Sequence, residues 1–184
     1  MKTLLHTVCF FLVFASLQHI ASGQHNKSAH IDTALRYTHV RESGNNDGKE
    51  VRMFLRSVGL GKGYSWCAAF ISYCLKAVKS PFPIRSAVAR KFITKSSIKA
   101  QDVLYGKYIP QRGDLIIWQR GETPYGHIAA NIETKSKNLF YDIEGNTSSG
   151  KKGSQHDGNG VFLRYRSIEL SNYFRITHFT PVYV

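Results

Sequence analysis

Apolar and polar positions follow two different periods along the chain. Apolar residues first recur every three to four positions, which predicts helices over residues 31–42, 49–58 and 66–78. Residues 84–105 look helical but interrupted. From Gly113 onward, short alternating segments typical of strands follow, at residues 114–119, 126–133, 138–144, 161–168 and 173–184. Helices placed ahead of a sheet predict an α+β fold, in which N-terminal helices pack on a C-terminal antiparallel β-sheet.

The first 23 residues have the composition of an export signal. Lys2 precedes the apolar run "LLHTVCFFLVFASL", and Ala21-Ser22-Gly23 fits a cleavage site between small residues. A retained membrane anchor is the alternative, but the run is shorter than the roughly 20 apolar residues that a spanning helix needs. We therefore expect a signal peptide at 1–23, a single domain at 24–184, no stable membrane insertion after cleavage, and a periplasmic or extracellular location.

Positive charge is in large excess over negative charge. The chain has 25 Lys and Arg against 12 Asp and Glu, and the predicted signal contains only Lys2, so the remainder keeps 24 against 12 and a net charge of +12. Such an excess favours a polyanionic partner. No RNP-like or zinc-finger pattern supports nucleic acid, and an exported chain more often meets acidic cell-wall polymers, lipid head groups or no particular polyanion.

Two cysteines remain after the predicted cleavage, Cys67 and Cys74 in "GYSWCAAFISYCL". Seven residues apart on one helix, their Cα atoms would be separated by about 10 Å, which is too far for a disulfide. We expect Cys74 to be a small buried core residue. Cys67 follows Trp66 at the start of the helix, where the positive end of the helix dipole favours a thiolate. From its position alone, Cys67 is either a nucleophile or a second core residue.

One histidine is well placed to serve as a base for that thiol. His127 opens the segment "HIAANI", in which alternation puts it on one face with Ala129 and Asn131. If the next strand pairs with this one in a hairpin, Glu144 or Asn146 can reach the ring, accept its Nδ1 proton and stabilise the imidazolium. A half-exposed strand histidine is the alternative. The lack of Cys-x-x-Cys or His-x-x-x-His spacing speaks against a metal site.

Four segments, taken in order, carry a resemblance to a known family: "GYSWCAAFISYCL", "RGDLIIW", "GHIAANI" and "IEGNTS". Together they resemble the CHAP family of cysteine peptidases and amidases, relatives of the NlpC/P60 group, over roughly residues 31–150. The resemblance implies a papain-like architecture, peptidoglycan as the partner, and no cofactor or metal.

Site residues follow from the resemblance position by position. It makes Cys67 the nucleophile, His127 the general base and Glu144 the third catalytic residue. Asn146 joins this catalytic set in a supporting, hydrogen-bonding role. The candidates for substrate binding or support around them are Trp66, Tyr64 and Tyr125.

The predicted function is therefore a secreted peptidoglycan hydrolase that cleaves an amide bond by a Cys-His-Glu thiol mechanism. The bond would be that of an N-acetylmuramoyl-L-alanine amidase or of a stem or cross-bridge endopeptidase. The alternatives are a non-catalytic wall-binding protein that keeps the fold, and an amidase acting on a small peptide conjugate. We expect a monomer.

Overall fold

The computed structural model of the chain describes residues 28–149 and 158–183. The predicted signal peptide, residues 1–23, lies outside these described residues. Within them, no helix combines the length and the apolar character that crossing a membrane requires.

Among the described residues, three helices precede the sheet, close to where the periodicity predicts them. They are α1 (Ala29–Leu35), α2 (Lys49–Arg56) and α3 (Cys67–Ala77). The first ends earlier than predicted, because the Thr38 hydroxyl donates to the Leu35 carbonyl at 3.1 Å, the acceptor that a continuing helix would use. The third is buried on most of its circumference, which makes it the central helix of the domain.

Residues 84–105 differ from the interrupted helix that their pattern suggested. They contain a short 3₁₀ turn (Ala89–Phe92), β1 (Ile98–Lys99) and α4 (Ala100–Leu104), joined by irregular chain. Side chains bind the backbone just before the 3₁₀ turn: Arg85 donates to the Phe82 carbonyl at 2.6 Å, and the Ser72 hydroxyl bonds both the N–H and the carbonyl of Ser86 at 2.9 Å. These bonds satisfy polar groups that a helix would otherwise have paired.

The sheet completes the architecture. Its longer strands are β2 (Leu115–Arg120), β3 (Gly126–Ser136), β4 (Leu139–Thr147), β5 (Gly160–Arg166) and β6 (Phe174–Thr180). Over the described residues the six strands are ordered β1-β6-β2-β3-β4-β5 and every neighbouring pair is antiparallel. The α+β prediction is confirmed, and β3 and β4 form the predicted hairpin.

The two faces of the sheet bury different sets of apolar side chains. The face toward the helices includes Leu115, Ile117, Ile128, Ala130 and Ile143. The opposite face packs with α4 and includes Ile116, Trp118, Ala129, Phe140 and Phe179. Alternation along each strand produces this division.

One glycine sets how closely α3 approaches the sheet. A Cβ at Gly145, near the end of β4, would lie 2.8 Å from Phe70 and 2.8 Å from Trp66. Only a residue without a side chain allows this contact. The start of α3 therefore lies against the end of β4, where the predicted site residues are.

Candidate active site

The start of α3 is held in place by side chains rather than by an ordinary cap. Trp66 precedes Cys67 and is fully buried, and α3 has no side-chain cap at its N-terminus. The Trp66 backbone N–H donates to Asn146 Oδ1 at 3.0 Å, and its indole Nε1–H donates to Glu42 Oε1 at 2.7 Å. Cys67 is 5% exposed. These bonds fix the backbone from which the thiol projects.

Asn146 belongs to this support rather than to the histidine. Its side-chain amide donates to the Gly158 carbonyl at 2.8 Å and to Asn46 Oδ1 at 3.2 Å, while its oxygen accepts from Trp66. The backbone of Asn146 has a φ of 56°, a conformation that asparagine adopts more readily than most residues. Of the two side chains that could have reached the His127 ring, the structure assigns Glu144.

His127 is the second residue of β3 and is buried. Its ring lies 5.4 Å from the Trp118 ring in an edge-on contact, and Nε2 is 2.9 Å from Glu144 Oε2. The register explains the reach, because Glu144 lies opposite Ala129, the next residue on the same face. The expectation that the acid would bind Nδ1 is wrong, because it binds Nε2. Cys67 lies close enough to the same ring to help raise its pKa.

The electrostatics of the ring follow from these two partners. Burial by itself lowers the pKa of His127, but the charge of Glu144 and the hydrogen bonds to Cys67 and Glu144 outweigh it and raise the pKa to about 10. The ring therefore carries a proton at neutral pH, with the Glu144 carboxylate as its hydrogen-bond partner.

Glu144 is itself bound by a residue that sequence reasoning missed. Arg166 on β5 donates through Nε to Oε1 at 2.5 Å and through Nη2 to Oε2 at 2.8 Å. Burial by itself raises the pKa of Glu144, but Arg166 and His127 hold it well below its usual range. The available signal was alternation on β5, which places an arginine on the face of a predicted buried acid, and a buried carboxylate needs a cation.

Comparison with protein-family models agrees with this geometry. Residues 59–146 match the model of the CHAP domain. The chain carries a CHAP domain. CHAP domains are amidases and peptidases that act on peptidoglycan, and they are typically cysteine hydrolases. Nothing matches the chain in a comparison with curated proteins or in one with solved structures.

The matched region contains the four residues of the predicted catalytic set. Cys67, His127, Glu144 and Asn146 all lie within residues 59–146, while Arg166 comes from a strand beyond them. The CHAP domain thus brings a thiol, a protonated imidazole and a carboxylate into one series. Among the described residues, no group of three or more His, Cys, Asp and Glu side chains is placed to hold a metal ion.

Backbone donors lie beside the thiol in this CHAP domain. The Phe70 N–H bonds the Trp66 carbonyl at 2.8 Å. The N–H groups of residues 67–69 precede it and have no carbonyl one turn behind them in the helix. Donors at a helix start are suited to stabilising a developing oxyanion.

Two tyrosines flank the buried series on the surface. Tyr64 comes three residues before Cys67 and is 56% exposed, and Tyr125 comes two residues before His127 and is 69% exposed. Trp66, by contrast, is fully buried and packs on Phe54 with ring centroids 5.7 Å apart. The CHAP domain therefore has aromatic side chains available to solvent on both segments that supply Cys67 and His127.

Proposed function

We propose that this protein is an exported peptidoglycan hydrolase that cleaves an amide bond with Cys67 as the nucleophile. The observation that carries the proposal is a buried His127 ring that binds the Glu144 carboxylate at 2.9 Å and interacts with Cys67 at the start of α3, inside a CHAP domain. A cysteine thiolate paired with an imidazolium that an acid orients is the arrangement that nucleophilic catalysis by cysteine requires.

The chemistry is acyl transfer in two steps. The Cys67 sulfur attacks the amide carbonyl carbon, backbone N–H groups at the start of α3 stabilise the oxyanion, and the C–N bond breaks as His127 gives a proton to the leaving amine. Water then attacks the resulting thioester, His127 takes the proton from that water, and the sulfur leaves as thiolate. Glu144 stabilises the imidazolium and keeps its Nε2–H directed away from the thiol.

Two bonds in peptidoglycan fit this chemistry. One is the amide between N-acetylmuramic acid and L-alanine, and the other is a peptide bond within the stem or the cross-bridge. The chain's net charge of +13 supports an anionic wall polymer as the surrounding in which it works. Removal of residues 1–23 on export is part of the proposal, and an exported chain whose N-terminal sequence begins near Gln24 would support it.

The decisive test is mass spectrometry of purified peptidoglycan after incubation with the protein from residue 24 onward. Release of intact stem peptides with a free N-terminal alanine identifies an amidase, and internally cut stems identify an endopeptidase. We expect Cys67→Ala to abolish either product while the protein stays folded by circular dichroism.

Cys74 provides a matched control on the same helix. It is fully buried, and burial raises the pKa of its thiol, so it is unsuited to act as a nucleophile. Cys74→Ala should keep wild-type cleavage. Cleavage by Cys67→Ala would contradict the thiol mechanism. Polymer left uncut by the unmodified protein would favour a wall-binding protein or an amidase on a small peptide conjugate.

A further inference from the structure

Arg166 holds the Glu144 carboxylate by both oxygens. The two bonds, 2.5 Å from Nε and 2.8 Å from Nη2, are the paired arrangement that only a guanidinium makes with a carboxylate. The Arg166 side chain is 13% exposed and that of Glu144 is fully buried. The Arg166–Glu144 pair is therefore shielded from solvent, and its two bonds fix the orientation of the carboxylate.

Trp118 places the arginine and the histidine side by side. The Arg166 guanidinium carbon lies 5.9 Å from the centre of the Trp118 ring, and the His127 ring lies 5.4 Å from the same ring. Glu144 bridges the two cations through Oε2, which receives Arg166 Nη2 at 2.8 Å and His127 Nε2 at 2.9 Å. Arg166 therefore orients the same carboxylate oxygen that binds the His127 imidazole.

A second buried acid lies next to Glu144. Asp142 is two residues earlier on the same face of β4 and is fully buried, and neither of its oxygens has a hydrogen-bond donor among the described residues. Burial, followed by the charge of Glu144, raises the pKa of Asp142 well above its usual range. As a neutral acid, Asp142 can donate to Glu144, whereas two carboxylates there would repel each other.

The charges that face Glu144 come from four elements. They are His127 on β3, Asp142 on β4, Arg164 and Arg166 on β5, and, through the histidine, Cys67 on α3. Arg164 donates to the Ser148 carbonyl instead of to the acid. Arg166 therefore supplies the direct cationic contact from β5 to Glu144.

We propose that Arg166 is a positioning residue: it makes Glu144, rather than Asp142, the ionised member of the buried acid pair, and it aims that carboxylate at His127 Nε2. The proposal rests on the proposed function, in which the Cys67–His127 pair reacts. Arg166 acts through Glu144, and it lies outside the region that the family model covers.

Arg166 should affect how the reactivity of Cys67 depends on pH in the acidic range. With Arg166 present, Glu144 stays ionised to low pH and the imidazolium keeps its partner. Without the guanidinium, Glu144 and Asp142 compete to hold one proton, so Glu144 is neutralised at higher pH and the thiolate–imidazolium pair loses support. The rate of Cys67 alkylation falls as the pH is lowered, and this part of the pH–rate profile is its acid limb. Without the guanidinium, the acid limb should move to higher pH.

The test is the rate of Cys67 alkylation by iodoacetamide as a function of pH, measured in the Cys74→Ala protein so that one thiol reports. We expect Arg166→Gln to move the acid limb upward by about one pH unit or more. Arg164→Gln, two residues away on the same strand, removes a charge that makes no hydrogen bond to Glu144 and should therefore move the limb by less. Adding Asp142→Asn to Arg166→Gln should move the limb back toward the wild-type position, because the competing acid is gone.

This rescue separates positioning from packing, since loss of packing would not be repaired by Asp142→Asn. An Arg166→Gln profile that superposes on the unmodified one, an equal shift from Arg164→Gln, or the absence of rescue would overturn the proposal. If Arg166→Gln does not fold, the same measurement is made on Arg166→Lys. It keeps the charge but loses the paired bonds, so we expect a smaller shift in the same direction, and an unshifted limb would overturn the proposal.

Alkylation needs no substrate, so the two proposals can fail separately. If peptidoglycan is uncut but the limb shifts and is rescued as described, the proposed function fails and the role of Arg166 stands. If peptidoglycan is cut but the limb does not move, the role of Arg166 fails and the proposed function stands.

Discussion

Two buried histidines in this domain have opposite protonation behaviour. His30 on α1 is 0% exposed and His127 on β3 is 4% exposed, so their burial is nearly the same. The pKa of His30 is lowered to about 4, whereas that of His127 is raised to about 10. At neutral pH the first is therefore neutral and the second is a cation.

Their partners account for the difference. His30 Nε2 donates to the Gly113 carbonyl at 2.9 Å, and its Nδ1 has no partner among the described residues. Burial lowers its pKa, and a neutral carbonyl compensates only in part. His127 Nε2 binds a carboxylate, and the interactions with Glu144 and Cys67 raise the pKa of the ring. A buried histidine becomes a stable cation only where the fold also buries its counter-charge.

The largest contrast should appear in catalysis. We expect His127→Ala to lower the rate of peptidoglycan cleavage by about 10³-fold or more, because general acid and base catalysis is lost. His30→Gln, which keeps a donor for the Gly113 carbonyl, should retain cleavage. Release of soluble fragments by the two variants, measured at equal folded concentration, checks this. A large loss in His30→Gln would mean that the two histidines are not functionally distinct.

The second contrast depends on the carboxylate. In Glu144→Gln the side chain can still form a hydrogen bond but carries no charge, so the pKa of His127 should fall from about 10 toward the ordinary 6.5, while that of His30 should stay near 4. NMR titration of the ring protons measures both histidines in one sample. An unchanged His127 titration would show that Glu144 is not the source of its shift.

Stability should depend on pH with opposite signs at the two histidines. Below pH 6.5 the unfolded chain protonates residue 30 and the folded chain does not until about pH 4, so lowering pH destabilises the fold through His30. Above pH 6.5 the folded chain keeps the His127 proton to about pH 10 and the unfolded chain loses it, so raising pH destabilises the fold through His127. Each contribution is on the order of 3 to 5 kcal/mol.

Urea unfolding between pH 4.5 and pH 9 tests this pair of slopes. His30→Gln should flatten the acid side alone, and His127→Ala the alkaline side alone. Flattening on the wrong side in either variant would contradict the assignment of the two protonation states.

The smallest expected effect concerns an exposed tyrosine close to His127 in the sequence. Tyr125, two residues before His127, is 69% exposed, and we propose that it contacts substrate. Tyr125→Ala should raise KM about three- to tenfold with little change in kcat, as loss of one aromatic contact would. The control is Tyr105→Ala. Tyr105 is 65% exposed at the end of α4, and this helix packs against β1 and β6. Equal effects from both variants would argue against a role for Tyr125.

Much of the fold could be predicted because its signals are local. Periodicity located α2, α3 and the five longer strands within a few residues, and alternation put His127 on one face of β3. The two-residue β1 has too few positions to show a period. The end of α1 depended on a hydroxyl that competes for a helical carbonyl, a contact that a periodic pattern does not contain.

The candidate site was predicted in its members but not in its connections. Glu144 and Asn146 were interchangeable as partners of His127 from their positions, and the ring nitrogen expected for the acid was the other one. Those choices depend on side-chain directions at the end of β4, where the register of the β4–β5 ladder shifts between Glu144 and Thr147. A repeating pattern does not report such irregularities.

By itself, then, the sequence determined the order of helices and strands, the thiol at a helix start, and the hairpin that brings a histidine and an acid to one face. These are properties of adjacent residues and of fixed periods. Only the tertiary structure decided that Asn146 supports Trp66, that His127 is charged and His30 neutral, and that Arg166 reaches Glu144 from another strand. Whether a buried group is charged depends on which groups contact it across the sheet. Separation along the chain does not determine which groups those are.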